Sequence, residues 1–171
     1  MADYGRDMVT QFKPDHDNTR MLRDAFSRFM SGITIVTAAS DQGPVGITAS
    51  SFSSLSLNPP LVLWSPAIES RRFEFFEKAE YFSIHILSSN QENICNNFIK
   101  SPFAFENSET KKNIHGVPLI ENCLARFECK KNAIYPGGDH IIVVGEVENV
   151  EMRDGNALTF FAGRFRELSA L

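Results

Sequence analysis

Apolar and polar positions alternate along this chain with a period that changes from segment to segment. Around "NTRMLRDAFSRFMSG", Met21, Leu22, Ala25, Phe26, Phe29 and Met30 recur at helical spacing. Asn18 or Thr19 is placed to cap the start of that helix, and Gly32 to end it. "GITIVTAAS" reads as a strand rich in β-branched residues, and "SDQGPV" as a turn. "VGITASSFSSLSL" is a second extended run, expected antiparallel to the first. "NPP", residues 58–60, interrupts it, because proline brings no amide to a ladder.

"LVLWS" resumes as a buried strand, "SRRFEFFEKAE" as a short helix and "YFSIHIL" as a strand. "SSNQENICNNFIK" is a helix: Ser89 and Glu92 have capping-box spacing, and Ile94, Cys95, Phe98 and Ile99 form one apolar face. "SPFAFENSETKKNIHGVP" is polar and irregular, a long loop of the kind that often carries function. "CLARFECKKNAIY", "HIIVVGEVENVEMRD" and "LTFFAGRFREL" read as three more strands. The pattern divides the chain into a polar arm, 1–18, and one domain, 19–171. Many strands and few helices predict a mainly β architecture, a barrel or sandwich with peripheral helices.

Composition narrows the functional classes. The 171 residues are 43% hydrophobic and 22% charged, ordinary values for a globular domain with a real core. A net charge of −4 provides no basic footprint for nucleic acid. No apolar run approaches the roughly 18 residues of a membrane span, and the N-terminus lacks the apolar stretch of a signal peptide. Three cysteines, Cys95, Cys123 and Cys129, are odd in number and not spaced C-x-x-C. They read as reduced thiols of a cytoplasmic protein, not as a disulfide or zinc framework. The chain contains no G-x-G-x-x-G after a strand, no phosphate-binding G-x-x-x-x-G-K-[ST] and no G-x-S-x-G. His16, His85, His115 and His140 lack zinc-ligand spacing, so no metal is expected.

Three features remain as candidate chemistry. From Thr48 to Ser56 nearly every side chain is a hydroxyl, able to donate and accept and small enough for a ligand to approach the backbone. That pattern alone leaves a ligand surface and a solvent face equally open. Next, Ser70 fits an N-cap, which places Arg71 and Arg72 in the first turn of a helix. Cations are disfavoured there unless an anion joins them; the alternative is two solvated arginines. Last, Gly137 and Gly138 permit a tight turn, Asp139 can accept from turn amides, and His140 opens a strand. A histidine there can orient a ligand amide or move a proton, or be merely structural. His85 leaves the apolar face of Ile84 and Ile86, as an exposed or hydrogen-bonded edge residue.

Taken in order, "FMSGITIVTA", "GITASSFSSLSLNPPLVLWS", "YFSIHIL", "HGVPLIENCLARFEC", "GGDHIIVVGEV" and "FFAGRFREL" resemble the flavin reductase family with the FMN-binding split-barrel fold. The resemblance runs from about Met21 to Leu168. It implies a homodimer of Greek-key split barrels with flavin in a groove near the subunit interface. It places Thr48, Ala49, Ser50 and Ser51 at the flavin, Trp64 and Ser65 along its ring, and Ser70 and Arg71 at its phosphate. Gly138, Asp139 and His140 match the family's G-D-H motif, with the histidine where nicotinamide docks. Arg164 and Phe165 of "GRF" match a segment that also approaches the pocket. The family often has asparagine at the position of His85 and tyrosines at those of Phe161 and Phe165.

The implied activity is that of an NAD(P)H:flavin oxidoreductase. Hydride passes from nicotinamide C4 to flavin N5, and the reduced flavin is handed to a partner monooxygenase. FMN or FAD, and NADH or NADPH, are all compatible with these residues. A non-catalytic flavin carrier or redox sensor on the same fold is the alternative.

Overall fold

The computed structural model describes residues 9–105 and 110–169. The first eight residues of the expected arm, part of the expected long loop and the last two residues of the expected domain lie outside that range. The elements are α1 (Thr19–Phe26), β1 (Ser31–Gly32), β2 (Thr34–Ser40), β3 (Gly43–Ala49), β4 (Ser53–Leu57), β5 (Pro60–Trp64), α2 (Phe73–Lys78) and β6 (Tyr81–Ile86). A 3-10 turn (Ser89–Gln91) leads into α3 (Glu92–Lys100), followed by β7 (Ala125–Gly137), β8 (His140–Met152), β9 (Ala157–Phe161) and β10 (Arg164–Leu168).

The strands form two antiparallel sheets, β1-β9-β10 and the seven-stranded β3-β2-β6-β7-β8-β5-β4. β3 and β4 are neighbours in sequence but occupy opposite edges of the large sheet. Laid flat, seven strands would put those edges about 29 Å apart at about 4.8 Å per step. The link from Ala49 to Ser53 reaches at most about 14 Å. The sheet must therefore curl until its edges approach, which makes a barrel wall of it. Val36, Val45, Ile47, Val62, Trp64 and Phe82 fill its inside. Ile35, Leu87, Cys95, Phe98 and Leu158 form a second core outside, beneath α3 and the small sheet. Gly46 of β3 makes this possible, since the Phe98 ring of α3 occupies the place a Cβ would take.

Several expectations change. "VGITASSFSSLSL" is not one strand but two, broken at 50–52, so a single alternation of faces does not run through it. "LTFFAGRFREL" is a hairpin, turned at Ala162 and Gly163 with φ of 50° and 76°. α1 stops at Phe26, and Gly32 lies in β1. Asn18 does not cap α1 with its side chain; its Nδ2 donates to Lys13 O and its Oδ1 accepts from Asp15 N, closing the preceding turn. The capping box is Ser88 with Gln91, one residue before the expected pair. On α3, Cys95 and Phe98 are buried while Ile99 is exposed.

His85 is neither exposed nor on an edge. β6 lies between β2 and β7, and the imidazole is fully buried. Nδ1 lies 3.0 Å from Ile35 O, and Nε2 accepts from Ile120 N–H at 3.1 Å. With Nε2 accepting, Nδ1 carries the proton and donates, so the ring is held in one neutral tautomer. Burial pushes its pKa down to about 4.

Candidate functional site

The break at 50–52 organises the site. Ser51 Oγ accepts from Ser65 N–H at 2.9 Å and lies 3.3 Å from Ser65 O, to which it can donate, pinning the bend to the end of β5. Thr48 Oγ1 donates to Cys95 O on α3 at 3.4 Å. Ala49 packs on the inner core. Of the four hydroxyl-strand candidates, Ser50 alone is exposed, on backbone that belongs to no ladder. Thr48 and Ser51 spend their hydroxyls holding that backbone in place. Trp64 departs further from expectation: its indole is inside the barrel, edge-on to Phe76 at 5.2 Å, with Nε1 unpartnered among the described residues. What this residue can offer a ligand is therefore backbone, not ring.

From Ser65 the chain runs along the β7–β8 hairpin. Pro66 O accepts from Ile141 N, Asp139 O accepts from Ile68 N, and Ala67 bridges His140. This brings the G-D-H turn beside the Ser51–Ser65 clamp. Gly137 pairs with His140 across the two-residue turn, and Gly138 has φ 78°, a conformation costly for any side chain but glycine's. His140 Nδ1 lies 2.7 Å from Asp139 Oδ1, with the ring half-exposed. That hydrogen bond, then the charge of the ring, holds the Asp139 carboxyl below its usual range, and Arg23 of α1 adds to the field.

Ser70 is not the N-cap of α2. Arg72 holds that position, and Ser70 Oγ instead accepts from Arg72 N at 3.2 Å. Neither arginine is in the helix, and a helix of six residues has little dipole to offer an anion. The two arginines differ in another way. Arg72 Nη2 donates to Ile99 O at the end of α3, and burial lowers its pKa. Arg71 is exposed and makes no hydrogen bond or ion pair among the described residues. It stands on a groove of about 690 Å³ between the β2–β3 turn and α2.

Arg164 and Phe165 are not brought to this cluster. They belong to the small sheet, where Phe165 packs edge-on to Phe160 at 5.7 Å. The three thiols are buried, and desolvation pushes Cys123 up to about 11 and Cys129 to about 12, so neither serves as a thiolate. Arg23, and Asp41 and Gln42 in the groove, were not among the sequence candidates. Nothing local marks them: "SDQG" is simply turn-forming, and the charge of Arg23 acts on Asp139, 116 positions away in sequence, only through the folded chain.

Pinned backbone at an open bend, a histidine held by a carboxylate and an uncommitted guanidinium fit a planar heterocycle with a phosphate tail. Residues 26–169 match the family model described as the flavin reductase like domain. FMN reductase (NADH) SmoA of Agrobacterium fabrum is 45% identical over 158 residues, covering 92% of this chain and 91% of that protein. The reductase subunit HsaB of a flavin-dependent monooxygenase from Rhodococcus jostii is 32% identical, covering 85% and 76%. Among solved structures, the Streptomyces globisporus NADH:FAD oxidoreductase in complex with NAD and FAD fragments superposes with a TM-score of 0.84 at 31% identity, covering 93% and 98%.

Proposed function

The chain belongs to the flavin reductase like family, and from that premise we propose that it is an NAD(P)H-dependent flavin reductase. One observation carries the reading on this chain's own residues. The hydrogen bonds from Ser51 to Ser65 and from Pro66–Ile68 to the G-D-H turn gather the hydroxyl bend, His140 and the approach to Arg71 into one place. The functional unit is the domain 19–171, whose described residues fold as a split barrel.

In this reading the backbone of Thr48, Ala49, Ser50 and Ser51 lines the flavin ring, with the backbone of Trp64 and Ser65 along its other edge. Ser70 and Arg71 take the phosphate. Bound flavin supplies the ring that accepts two electrons as hydride from nicotinamide C4. No side-chain nucleophile is required, and the protein's task is to hold the partners at about 3–3.5 Å. Gly138 lets the turn approach closely, and Asp139 fixes the ring of His140 by Nδ1. Nε2 is then the ring's remaining polar atom, available to the nicotinamide carboxamide. His140→Ala is expected to lower kcat/KM for NADH about tenfold, the upper end for one neutral hydrogen bond, and to leave FMN affinity within about twofold. Steady-state kinetics beside a flavin titration read both; unchanged kinetics would remove His140 from the site.

The deciding assay is oxidation of NADH and NADPH with FMN and FAD added separately. Oxidation that depends on flavin supports the reductase reading. Flavin binding without oxidation of either nucleotide would replace it by a carrier or redox sensor. A partner monooxygenase receives the reduced flavin in this proposal, as the names of the relatives suggest. A homodimer is proposed on the exposed apolar side chains of Phe26, Phe29 and Met30 in and after α1, a face that a second copy would cover. Three buried thiols and no disulfide among them support a cytoplasmic location. No helix among the described residues is long and apolar enough to cross a membrane.

A further inference from the structure

The irregular segment after α3 has no part in the flavin reading. Its residues 111–120 fold back on themselves: Asn113 N donates to Val117 O, Gly116 N to Asn113 O and Leu119 N to Lys111 O. Inside the turn, Asn113 Oδ1 accepts from His115 N and Val117 N. This strap is fastened across the outer face of the large sheet. His115 stacks on Tyr81 with ring centroids 3.6 Å apart, and Thr37 Oγ1 donates to Pro118 O at 2.6 Å. Asn113 Nδ2 donates to Glu128 Oε2 at 2.9 Å, and Ile120 N to His85 Nε2 at 3.1 Å.

Ser83 lies in the middle of these fastenings. Thr37 on β2 and Glu128 on β7 stand directly opposite it, and Tyr81 and His85 flank it on the same face of β6. Ser83 is fully buried, and its Oγ has no hydrogen-bond partner among the described residues. A hydroxyl taken out of water without a partner is costly, and native interiors rarely keep one. Both cross-strand neighbours have accepting capacity left. Thr37 Oγ1 donates to Pro118 O and accepts from no described residue. Glu128 Oε1 accepts from Asn149 and Arg126, whereas Oε2 accepts from Asn113 alone and keeps a lone pair.

That inventory selects the occupant. A cation is disfavoured, because the Arg126 guanidinium stands 3.4 Å from Glu128 Oε1 and already balances its charge; an anion is repelled by the same carboxylate. A small neutral molecule that accepts from one side and donates to two others fits, and water is that molecule. We propose that Ser83, Thr37 and Glu128 hold one buried water beneath the strap. The water accepts from the Ser83 hydroxyl and donates to Glu128 Oε2 and Thr37 Oγ1, about three hydrogen bonds, the usual complement of an internal water. His85 is not a further partner, since Ile35 O and Ile120 N already take its two ring nitrogens. Through Glu128 Oε2 the water shares an acceptor with Asn113, so it fastens the strap as well as Ser83.

Ser83→Ala in the full chain tests this, because a lone hydroxyl and a hydrated one give opposite signs. Removing an unsatisfied buried hydroxyl raises the urea midpoint or leaves it unchanged; removing the anchor of a bound water lowers it. The midpoint is expected to fall, and the magnetic relaxation dispersion of water oxygen to lose the amplitude of one long-lived water. Hydrogen exchange at Val117 N, which is held by Asn113, is expected to quicken by about two- to tenfold, the worth of one net hydrogen bond. Ser83→Cys, similar in size but a weak donor, should fall between wild type and Ser83→Ala in midpoint. A midpoint that rises or stays in Ser83→Ala overturns the proposal. So does a lowered midpoint with unchanged dispersion amplitude, which would make the loss one of packing. Unchanged exchange at Val117 would overturn the fastening of the strap.

Discussion

Replacing His85 by alanine is expected to destabilise the fold by about 4 kcal/mol at pH 7.5, read from urea denaturation. The imidazole satisfies Ile35 C=O on one strand and Ile120 N–H in the segment covering that face, both in a water-free place. Leaving Ile120 N–H unpaired costs about 1–3 kcal/mol, and the void left by the ring adds a comparable amount, while Ile35 C=O, opposite His85 in the β2–β6 ladder, loses a second donor. The same burial makes stability depend on pH. The unfolded chain takes up the proton near its ordinary value of 6.5, whereas burial holds the folded ring at about 4. The unfolded state thus binds more protons between those values. The contribution of His85 is whole above pH 6.5, falls as pH drops, and is lost below about 4. At pH 5 the loss is on the order of 2 kcal/mol. His85→Asn removes the titration, so its stability should fall less between pH 7.5 and pH 5 than that of the wild type. Parallel pH profiles for the two proteins would show that His85 does not titrate as described.

The buried position of His85 also marks where reading the sequence stops. Alternation correctly sends it to the face opposite Ile84, but only the remote segment at 117–120 makes that face an interior. The same holds at the hydroxyl run. Nothing in "TASSFSSLSL" says where pairing ends, because serine is tolerated in ladder and bend alike. The break comes from a hydrogen bond between Ser51 and Ser65, partners separated by fourteen positions. Features set by neighbouring residues were legible: the β-branched strand at 34–40, the glycine turn before His140 and a turn in "NPP", although that turn takes only Asn58 and Pro59, and Pro60 already pairs with Leu57 in β5. Trp64 was placed on a buried strand by its apolar neighbours and at the flavin by resemblance. The barrel keeps its ring for the core, so those two expectations meet only if its backbone serves the ligand.

The two arginines show what the structure adds at the site itself, and they set the largest expected effect on binding. As a sequence, "SRRFEF" offers two equal cations. In the fold, Arg72 is occupied with the last turn of α3, and Arg71 has no hydrogen bond or ion pair among the described residues. Arg71→Ala is therefore expected to weaken FMN by about 1.5–3 kcal/mol, the range for a hydrogen bond to a charged group, or roughly 10–150-fold in Kd. Riboflavin, which has the ring but no phosphate, should bind the variant and the wild type alike. Arg71→Lys should recover part of the loss, because it restores the charge without the planar fork. Arg72→Ala should instead lower the denaturation midpoint, since its guanidinium holds a carbonyl at a helix end, and change the FMN-to-riboflavin ratio little. Fluorescence titrations with both flavins separate these outcomes. An unchanged FMN Kd in Arg71→Ala, or an equal loss for riboflavin, would place the phosphate elsewhere. The helix dipole would then be no refuge, because α2 begins only after both arginines and is too short to hold an anion by itself.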